Sequence, residues 1–168
     1  VSGVVARGEG GLLGLAVSPD YAEDDLVYAY FTAAEDNRIV RFRLDGPEEV
    51  VFEGIDKAGN HNGGRIAFGP DGRLYGCASG DRCIYAWDPA TWQKVKVAEG
   101  TSSNDLVILR DGTIFYTDPQ PRLVWRLEAR TFARSEAAKL DWGPNGIAVS
   151  RDQSTLLVAE FASDTVHG

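Results

Sequence analysis

The chain has 168 residues, of which 43% are hydrophobic and 25% charged, and this composition is that of a folded domain rather than of a disordered segment. Asp and Glu total 25 against 17 Lys and Arg, a net charge of −8, which argues against a nucleic-acid partner because phosphate backbones are repelled. No apolar run approaches the roughly 20 residues of a membrane-spanning helix, so no membrane partner is expected.

Four segments with a common pattern follow one another along the chain. Each is a short apolar strand that ends in a turn with an aspartate, and the segments read LGLAVSPD (13–20), GRIAFGPD (64–71), NDLVILRD (104–111) and NGIAVSRD (145–152). Further β-rich runs follow each turn, so that a unit holds four strands and spans about 42 residues, the period of a propeller blade. The sequence predicts an all-β, single-domain, four-bladed β-propeller of four-stranded antiparallel blades. The predicted blades are approximately 11–55, 60–101, 103–143, and 144–168 together with 1–8.

The two ends of the chain are predicted to close the ring. The final unit ends in the stub DTVHG, which is too short to complete a blade, and the opening VSGVVAR has no unit of its own. Pairing of this N-terminal strand with the last blade would supply the missing outer strand and remove an exposed sheet edge. An open arc, or a ring completed by a second copy, is the alternative, so a monomer or a homodimer is expected.

The two cysteines flank a turn in the second unit. Cys77 and Cys83 are separated by Ala-Ser-Gly-Asp-Arg and could face each other across a hairpin, which would allow a disulfide. Two free, buried thiols are the favoured interpretation.

The first half of the chain resembles one enzyme family. The segments GEGGLLGLAVSPDYAEDDLVYAYFTAAEDNRIVRFRLDG (8–46) and HNGGRIAFGPDGRLY (61–75) are similar to the soluble PQQ-dependent aldose dehydrogenases, over about residues 4–75. The resemblance implies that His61 is the general base that takes the proton of the sugar C1 hydroxyl while a quinone accepts the hydride. The cofactor-holding Arg and Lys residues of that family come from later blades that are not recognisable here, so PQQ is not expected to bind. His61 would otherwise be a loop histidine bonded to the backbone.

The second half resembles another family. The segments GCASGDRCIYAWDPAT, SNDLVILRDGTIFYTDP and PNGIAVSRDQSTLLVAE are similar to the gluconolactonase and regucalcin-like lactonases, over about residues 76–166. The resemblance implies that Asn104 and Asn145 line a divalent-metal and lactone site at one mouth of the channel, with Glu9 as a loose match for a metal-binding glutamate. Amide and carboxylate oxygens suit Ca²⁺, which would polarise a lactone carbonyl. The alternative is that each asparagine bonds its own backbone. Strand alternation predicts that Asp105 points away from Asn104.

The change of resemblance near Tyr75 and Gly76 falls inside one blade. Together with the absence of methionine, which favours a processed product or a fragment, it favours a recombined or engineered propeller. Each enzyme site is only partly present, so the sequence favours a scaffold built from sugar-enzyme-like blades without efficient catalysis. The alternatives are a metal-dependent lactonase that hydrolyses sugar lactones and a PQQ-dependent aldose dehydrogenase; a small sugar or lactone is the expected ligand.

Overall fold

The computed structural model of the chain describes residues 1–59, 62–161, 163 and 165–168. One short helix, α1 (Tyr21–Asp24), follows the first strand. The strands are β1 (Leu12–Val17), β2 (Val27–Thr32), β3 (Asn37–Phe42), β4 (Glu49–Ile55), β5 (Gly63–Phe68), β6 (Leu74–Ala78), β7 (Cys83–Trp87), β8 (Lys94–Glu99), β9 (Leu106–Ile108), β10 (Ile114–Asp118), β11 (Leu123–Leu127), β12 (Arg134–Lys139), β13 (Pro144–Val149), β14 (Leu156–Glu160) and β15 (Val166–His167). The part of the chain that the structure describes has no helix long and apolar enough to cross a membrane.

The strands form four antiparallel sheets, each of which is a blade. Blades 1 (β1–β4), 2 (β5–β8) and 3 (β9–β12) have four strands each, and blade 4 (β13–β15) has three strands within the described residues. In every blade the strands pair in chain order, and the first strands of successive blades contact one another. The predicted all-β, four-bladed propeller is therefore confirmed.

The middle strands of blades 1 to 3 are largely buried because apolar clusters cover both faces of each of these sheets. Every residue of β2, β6 and β7 is buried, which explains why their sequences are unbroken apolar runs rather than alternating ones. The junction between blades 1 and 2 is filled by large side chains such as Tyr30 and Trp87. Smaller apolar clusters fill the junctions between blades 2 and 3 and between blades 3 and 4.

The inner strands of blades 1 and 2 approach each other at two glycines. A Cβ placed on Gly14 would lie 2.0 Å from the carbonyl oxygen of Gly64, so only glycine fits. Gly64 itself has a φ of +88°, a conformation that other residues rarely adopt. These glycines set the distance between β1 and β5.

The two cysteines lie on opposite faces of blade 2. Cys77 pairs with Ile84 and Cys83 pairs with Ala78, so their side chains alternate across the sheet. Cys77 packs towards blade 3 and Cys83 towards blade 1. Both thiols are free and buried, as the sequence favoured.

The predicted pairing of the N-terminal strand with the last blade is not confirmed. The N-terminal segment lies on blade 1 instead: Val5 N donates to Thr32 O at 2.8 Å, and Val4 packs on the apolar face of β2 and β3 that is turned away from blade 2. Ser2 N donates to the Glu48 carboxylate at 2.8 Å. Within the described chain β15 pairs with β14 alone. The large apolar face of blade 1 offers the segment more contacts than a two-residue strand does.

Candidate functional site at the channel mouth

The four inner strands run in the same direction around a central channel. Gly14 and Gly64 lie close together near the beginnings of β1 and β5. Further along, residues of all four inner strands line one cavity of about 440 Å³. We call the end at which β1, β5, β9 and β13 begin the channel mouth. The predicted metal-site residues Glu9, Asn104 and Asn145 precede or begin these strands, so the fold brings their chain positions to the same end.

Each inner strand is irregular at the channel mouth. The pairing with the second strand shifts register between Leu12 and Gly14 in blade 1, between Gly63 and Ile66 in blade 2, and between Pro144 and Ile147 in blade 4. In blade 3, Asn104 and Asp105 both oppose Thr117, because Asn104 N donates to Thr117 O and Thr117 N donates to Asp105 O, each at 3.0 Å. Such bulges redirect side chains, and they are common beside binding sites.

Hydrogen bonds between blades 1 and 2 hold the residue that follows His61. Asn62 is buried, and its Oδ1 accepts from Ala58 N at 3.0 Å and from Asn37 Nδ2 at 3.2 Å. Asn37 is itself held by Thr32, whose Oγ1 donates to Asn37 Oδ1 at 2.8 Å. The position from which β5 begins is thus tied to the end of β2.

A second set of hydrogen bonds holds the loop that leads to Asn104. Ser79 Oγ, directly after β6, donates to the carbonyl oxygen of Ser103 in the next blade. At the end of β10, the Asp118 carboxylate accepts from Thr101 Oγ1 at 2.6 Å and from Ser102 N at 3.3 Å. These bonds are buried or nearly so, which makes them costly to break.

Asp105 connects three inner strands. Its Oδ1 accepts from Leu106 N at 2.8 Å and from Arg65 Nε of blade 2 at 2.6 Å, and its Oδ2 accepts from Ile147 N of blade 4 at 2.9 Å. Thr117 adds a further link, since its Oγ1 donates to the carbonyl oxygen of Asn145. The bulge therefore directs Asp105 to the neighbouring blades rather than simply to the far side of its own strand.

Asn104 and Asn145 are both half-buried at the channel mouth. The backbone links through Thr117 bring the two positions to adjacent inner strands. Their side-chain amides make no hydrogen bond with the part of the chain that the structure describes, so neither caps its own loop. Both amides are available to a ligand.

Of the two remaining predicted site residues, the structure describes Glu9 but not His61. Glu9 is exposed in a turn closed by Gly10 N, which donates to Arg7 O at 2.9 Å, and this turn precedes β1 at the channel mouth. His61 lies outside the described residues, so its predicted role stays a prediction. Within residues 1–59, 62–161, 163 and 165–168, no three His, Cys, Asp or Glu side chains come together as a metal site. The predicted metal ligands Glu9, Asn104 and Asn145 also stay a prediction.

Arg65 and Asp105 are the polar residues of the site whose roles sequence reasoning missed. Their signals were present, because Arg65 ends the HNGGR segment and Asp105 follows Asn104 in the repeated strand pattern. The Arg65 side chain is 44% exposed and that of Asp105 15%, so the pair sits at the boundary between channel and interior. The bond to Asp105 uses only the Nε of Arg65, and its terminal nitrogens make no hydrogen bond with the described residues.

Three known proteins are similar to this chain in sequence or in fold. The PQQ-bound form of aldose sugar dehydrogenase from Streptomyces coelicolor has a TM-score of 0.73 at 29% identity, covering 99% of this chain and 64% of its own. A gluconolactonase from Xanthomonas campestris has a TM-score of 0.71 at 25% identity, covering 91% of this chain and 56% of its own. A gluconolactonase of Zymomonas mobilis is 30% identical over 134 residues, which is 68% of this chain and 37% of that protein. The chain spans less than two thirds of the length of each of these relatives.

The family match crosses the point at which the resemblance was expected to change. The model of the family described as Glucose / Sorbosone dehydrogenase matches residues 1–123, which runs through Tyr75 and Gly76 into blade 3. The aldose sugar dehydrogenase likewise aligns along nearly the whole chain. The comparisons do not show a recombined origin. They show that the chain belongs to the Glucose / Sorbosone dehydrogenase family.

Proposed function

We propose that the channel mouth binds a sugar or a sugar lactone. The observation that carries this proposal is the pair of uncommitted, half-buried amides of Asn104 and Asn145 at the beginnings of adjacent inner strands, with the Arg65 guanidinium nearby. An amide both donates and accepts hydrogen bonds, and so matches the hydroxyls and the carbonyl of such a ligand. Gluconolactonases and an aldose sugar dehydrogenase among the relatives support this class of ligand.

Calorimetric titration with glucose and with gluconolactone tests the proposal. We expect Asn104→Ala and Asn145→Ala each to weaken binding about tenfold, because each removes one or two hydrogen bonds worth about 1 kcal/mol apiece. Gln93→Ala, which removes an exposed amide from the β7–β8 turn, is the matched control and should bind as the parent does. Equal binding by all four proteins would refute the site.

Lactone hydrolysis with a divalent metal is the first candidate reaction. Amide and carboxylate oxygens are ligands that Ca²⁺ prefers, so the half-buried amides of Asn104 and Asn145 and the exposed Glu9 carboxylate are the proposed ligands. Bound there, Ca²⁺ would polarise the lactone carbonyl. A heat of Ca²⁺ binding that is lost in Asn145→Ala and reduced in Glu9→Gln would support the metal site that this reaction needs. Hydrolysis that is indifferent to Ca²⁺ and to both substitutions would exclude it.

Aldose oxidation is the second candidate, and the family match favours it. The Arg65 guanidinium beside the candidate asparagines does not make a PQQ site by itself, because the cofactor carries three carboxylates and Arg65 is already paired with Asp105. We therefore derive no step through the cofactor and retain only His61 as the proposed acceptor of the C1 hydroxyl proton, a role that suits an imidazole. Dye reduction with PQQ and glucose that disappears in His61→Ala would support oxidation. A folded chain with neither binding nor activity would instead be a scaffold.

A further inference from the structure

A second cleft lies at the end of the molecule opposite to the channel mouth. It has a volume of about 760 Å³ and opens between blades 2 and 3, where their inner strands end. Turns from three hairpins form its walls: β5–β6, β9–β10 and β11–β12. We call it the arginine cleft because three of its lining residues are Arg73, Arg110 and Arg130.

The equivalent junction between blades 1 and 2 contains none of these charges. Strand register aligns the two junctions, because β6 pairs with β5 as β2 pairs with β1. The β7–β8 and β11–β12 turns also have equal lengths and share two backbone hydrogen bonds. The residues at the positions of the three arginines are Leu26, Pro70 and Ala90. The propeller geometry therefore does not require arginines there.

The aspartates of the cleft are engaged by their own turns. Asp71 accepts from Tyr75 Oη at 2.9 Å and from Arg73 N at 3.3 Å. Asp111 accepts from Thr113 N at 2.8 Å, and this bond lowers the pKa of its carboxyl group. The nearest approach of Arg73 to Asp71 is 4.0 Å, and Asp71 is half-exposed, so the carboxylates neutralise the guanidinium groups only weakly.

Arg130 is the least committed of the three arginines. It forms no ion pair or hydrogen bond through its side chain within the described residues, and its φ is +67°, which is strained for a residue other than glycine. Arg110 donates to the carbonyl oxygen of Arg151 through a single terminal nitrogen at 2.9 Å, which leaves the rest of its guanidinium free. Two guanidinium groups can therefore turn towards a ligand in the cleft.

An apolar wall lies beside the charges. Tyr75 and Phe132 form an edge-to-face pair with ring centroids 6.3 Å apart, and Ile108 lines the same cleft. The pair corresponds to Tyr28 and Trp92 at the first junction, where the rings are 6.0 Å apart. Both junctions thus have the aromatic pair, and the added feature of the second is positive charge.

We propose that the arginine cleft binds a small organic anion in which a phosphate or carboxylate group is attached to a flat or apolar body. Guanidinium groups bind both kinds of oxyanion through charge-assisted hydrogen bonds, and the aromatic wall would contact the body of the ligand. In a chain with a net charge of −8, a cleft with three arginines is a distinct electrostatic feature. This site is separate from the sugar site and does not rest on it.

Titration calorimetry with phenyl phosphate, benzoate and the neutral benzyl alcohol tests the proposal. We expect one or both anions to bind, benzyl alcohol to bind far more weakly, and the tighter anion to identify the group that the cleft selects. Inorganic phosphate should bind more weakly than phenyl phosphate because it lacks the body. Arg130→Gln and Arg73→Gln should each weaken the preferred anion about tenfold, as expected for the loss of a charge-assisted contact.

Arg151→Gln is the matched control. Arg151 occupies in blade 4 the turn position that Arg110 occupies in blade 3, and it does not line the cleft. Its substitution should leave binding within about twofold of the parent, since it keeps the backbone carbonyl that Arg110 contacts and removes only a side-chain charge outside the cleft, which salt screens. The proposal is overturned if neither anion binds, or if Arg130→Gln and Arg151→Gln change binding equally.

Discussion

Asp105 shows how a single carboxylate can hold several blades together. Its two oxygens accept from donors of blades 2, 3 and 4, and its side chain is largely buried. A buried carboxylate with several donors is stabilising, and its removal leaves those donors without partners. The residue matters for the channel mouth because the strands that begin there are aligned through it.

We therefore expect Asp105→Ala to lower the free energy of unfolding by about 2–3 kcal/mol, as for the loss of a charged acceptor with buried donors. Urea denaturation followed by tryptophan fluorescence measures the change. Asp45→Ala removes an exposed carboxylate from the turn after β3 and should change stability by less than about 0.5 kcal/mol. Equal effects of the two substitutions would contradict the role of Asp105.

A second prediction at the residue scale concerns the reactivity of the two buried thiols. Burial raises the pKa of Cys77 and that of Cys83 above the ordinary thiol value. Because the thiolate is the reactive form, neither should react with a thiol reagent in the folded protein at pH 8. Both should react once urea unfolds the chain. Rapid modification of Cys77 without unfolding would show that the junction between blades 2 and 3 opens readily.

At the scale of strands and turns, polar side chains join blades 1, 2 and 3 each to the blade that follows it in the chain, at the channel mouth. Thr32 and Asn37 serve the first junction, Ser79 the second, and Thr117 the third. All of these residues are buried, so their hydroxyls and amides are satisfied by the neighbouring blade rather than by water. The bonds fix the loops from which the candidate site residues project.

Thr117→Val tests one of these links. The substitution keeps the shape of the side chain but removes the hydroxyl that bonds Asn145 O and Asp105 N, so we expect a loss of about 1–2 kcal/mol of stability. We also expect weaker binding of gluconolactone, since Asn104 and Asn145 lose a shared support. Thr91→Val, in an exposed turn, is the control. Unchanged stability and binding in Thr117→Val would disprove the link.

Substitution of Gly14 by alanine tests the close approach of β1 and β5. Alanine at this position would place a Cβ 2.0 Å from Gly64 O, a distance that requires the strands to separate. We expect a destabilisation of about 3 kcal/mol, at the upper range for overpacking. Gly59→Ala, where the added Cβ meets no atom of the described residues within 4 Å, should be close to neutral. Thermal unfolding of both variants provides the comparison.

At the scale of the whole molecule, several buried acidic groups couple stability to alkaline pH. Burial raises the pKa of the Cys77 and Cys83 thiols and of the Tyr30 hydroxyl. Below the pKa values of the unfolded chain, about 8.5 for a thiol and 10 for a tyrosine, both states carry the proton and burial has no ionic cost. Above them, the unfolded chain releases protons that the folded chain retains, so stability falls as pH rises.

The urea midpoint should consequently be constant between pH 7 and 8 and should decrease from about pH 9 upwards, where unfolded thiols ionise. Cys77→Ala should make this decrease smaller, although it also creates a small cavity, so the slope against pH is compared rather than the midpoint at one pH. A midpoint that does not change up to pH 10.5 would be inconsistent with these buried groups.

Particular elements explain why much of the fold was predictable. The repeated segments end at Asp20, Asp71, Asp111 and Asp152, and each is an inner strand with its turn. The unbroken apolar runs that follow them, such as VYAYFT and CIYAW, are strands buried on both faces. Strand period, turn chemistry and apolar content are local properties, so they can be read along the chain.

The candidate site was only partly predictable for a physical reason. The sequence brings Asn104 and Asn145 to the same end because each begins an inner strand, but it does not reveal the bulge that directs Asp105 towards Arg65 and Ile147. Bulges arise from the pairing of two strands and from contacts with a third, and neither is visible in one segment. The arginine cleft could not be predicted either, because the strand registers of the structure are needed to show which residues of two blade junctions occupy equivalent positions.

By itself, the sequence determined the number of blades, the order of their strands and the end at which the inner strands begin. These depend on short-range patterns and on the alternation of side chains across a sheet. The tertiary structure alone decided that the N-terminal segment covers blade 1 and that Asp105 joins three blades. Those outcomes depend on which surfaces compete for the same segment or side chain, and that competition is between residues far apart in the chain.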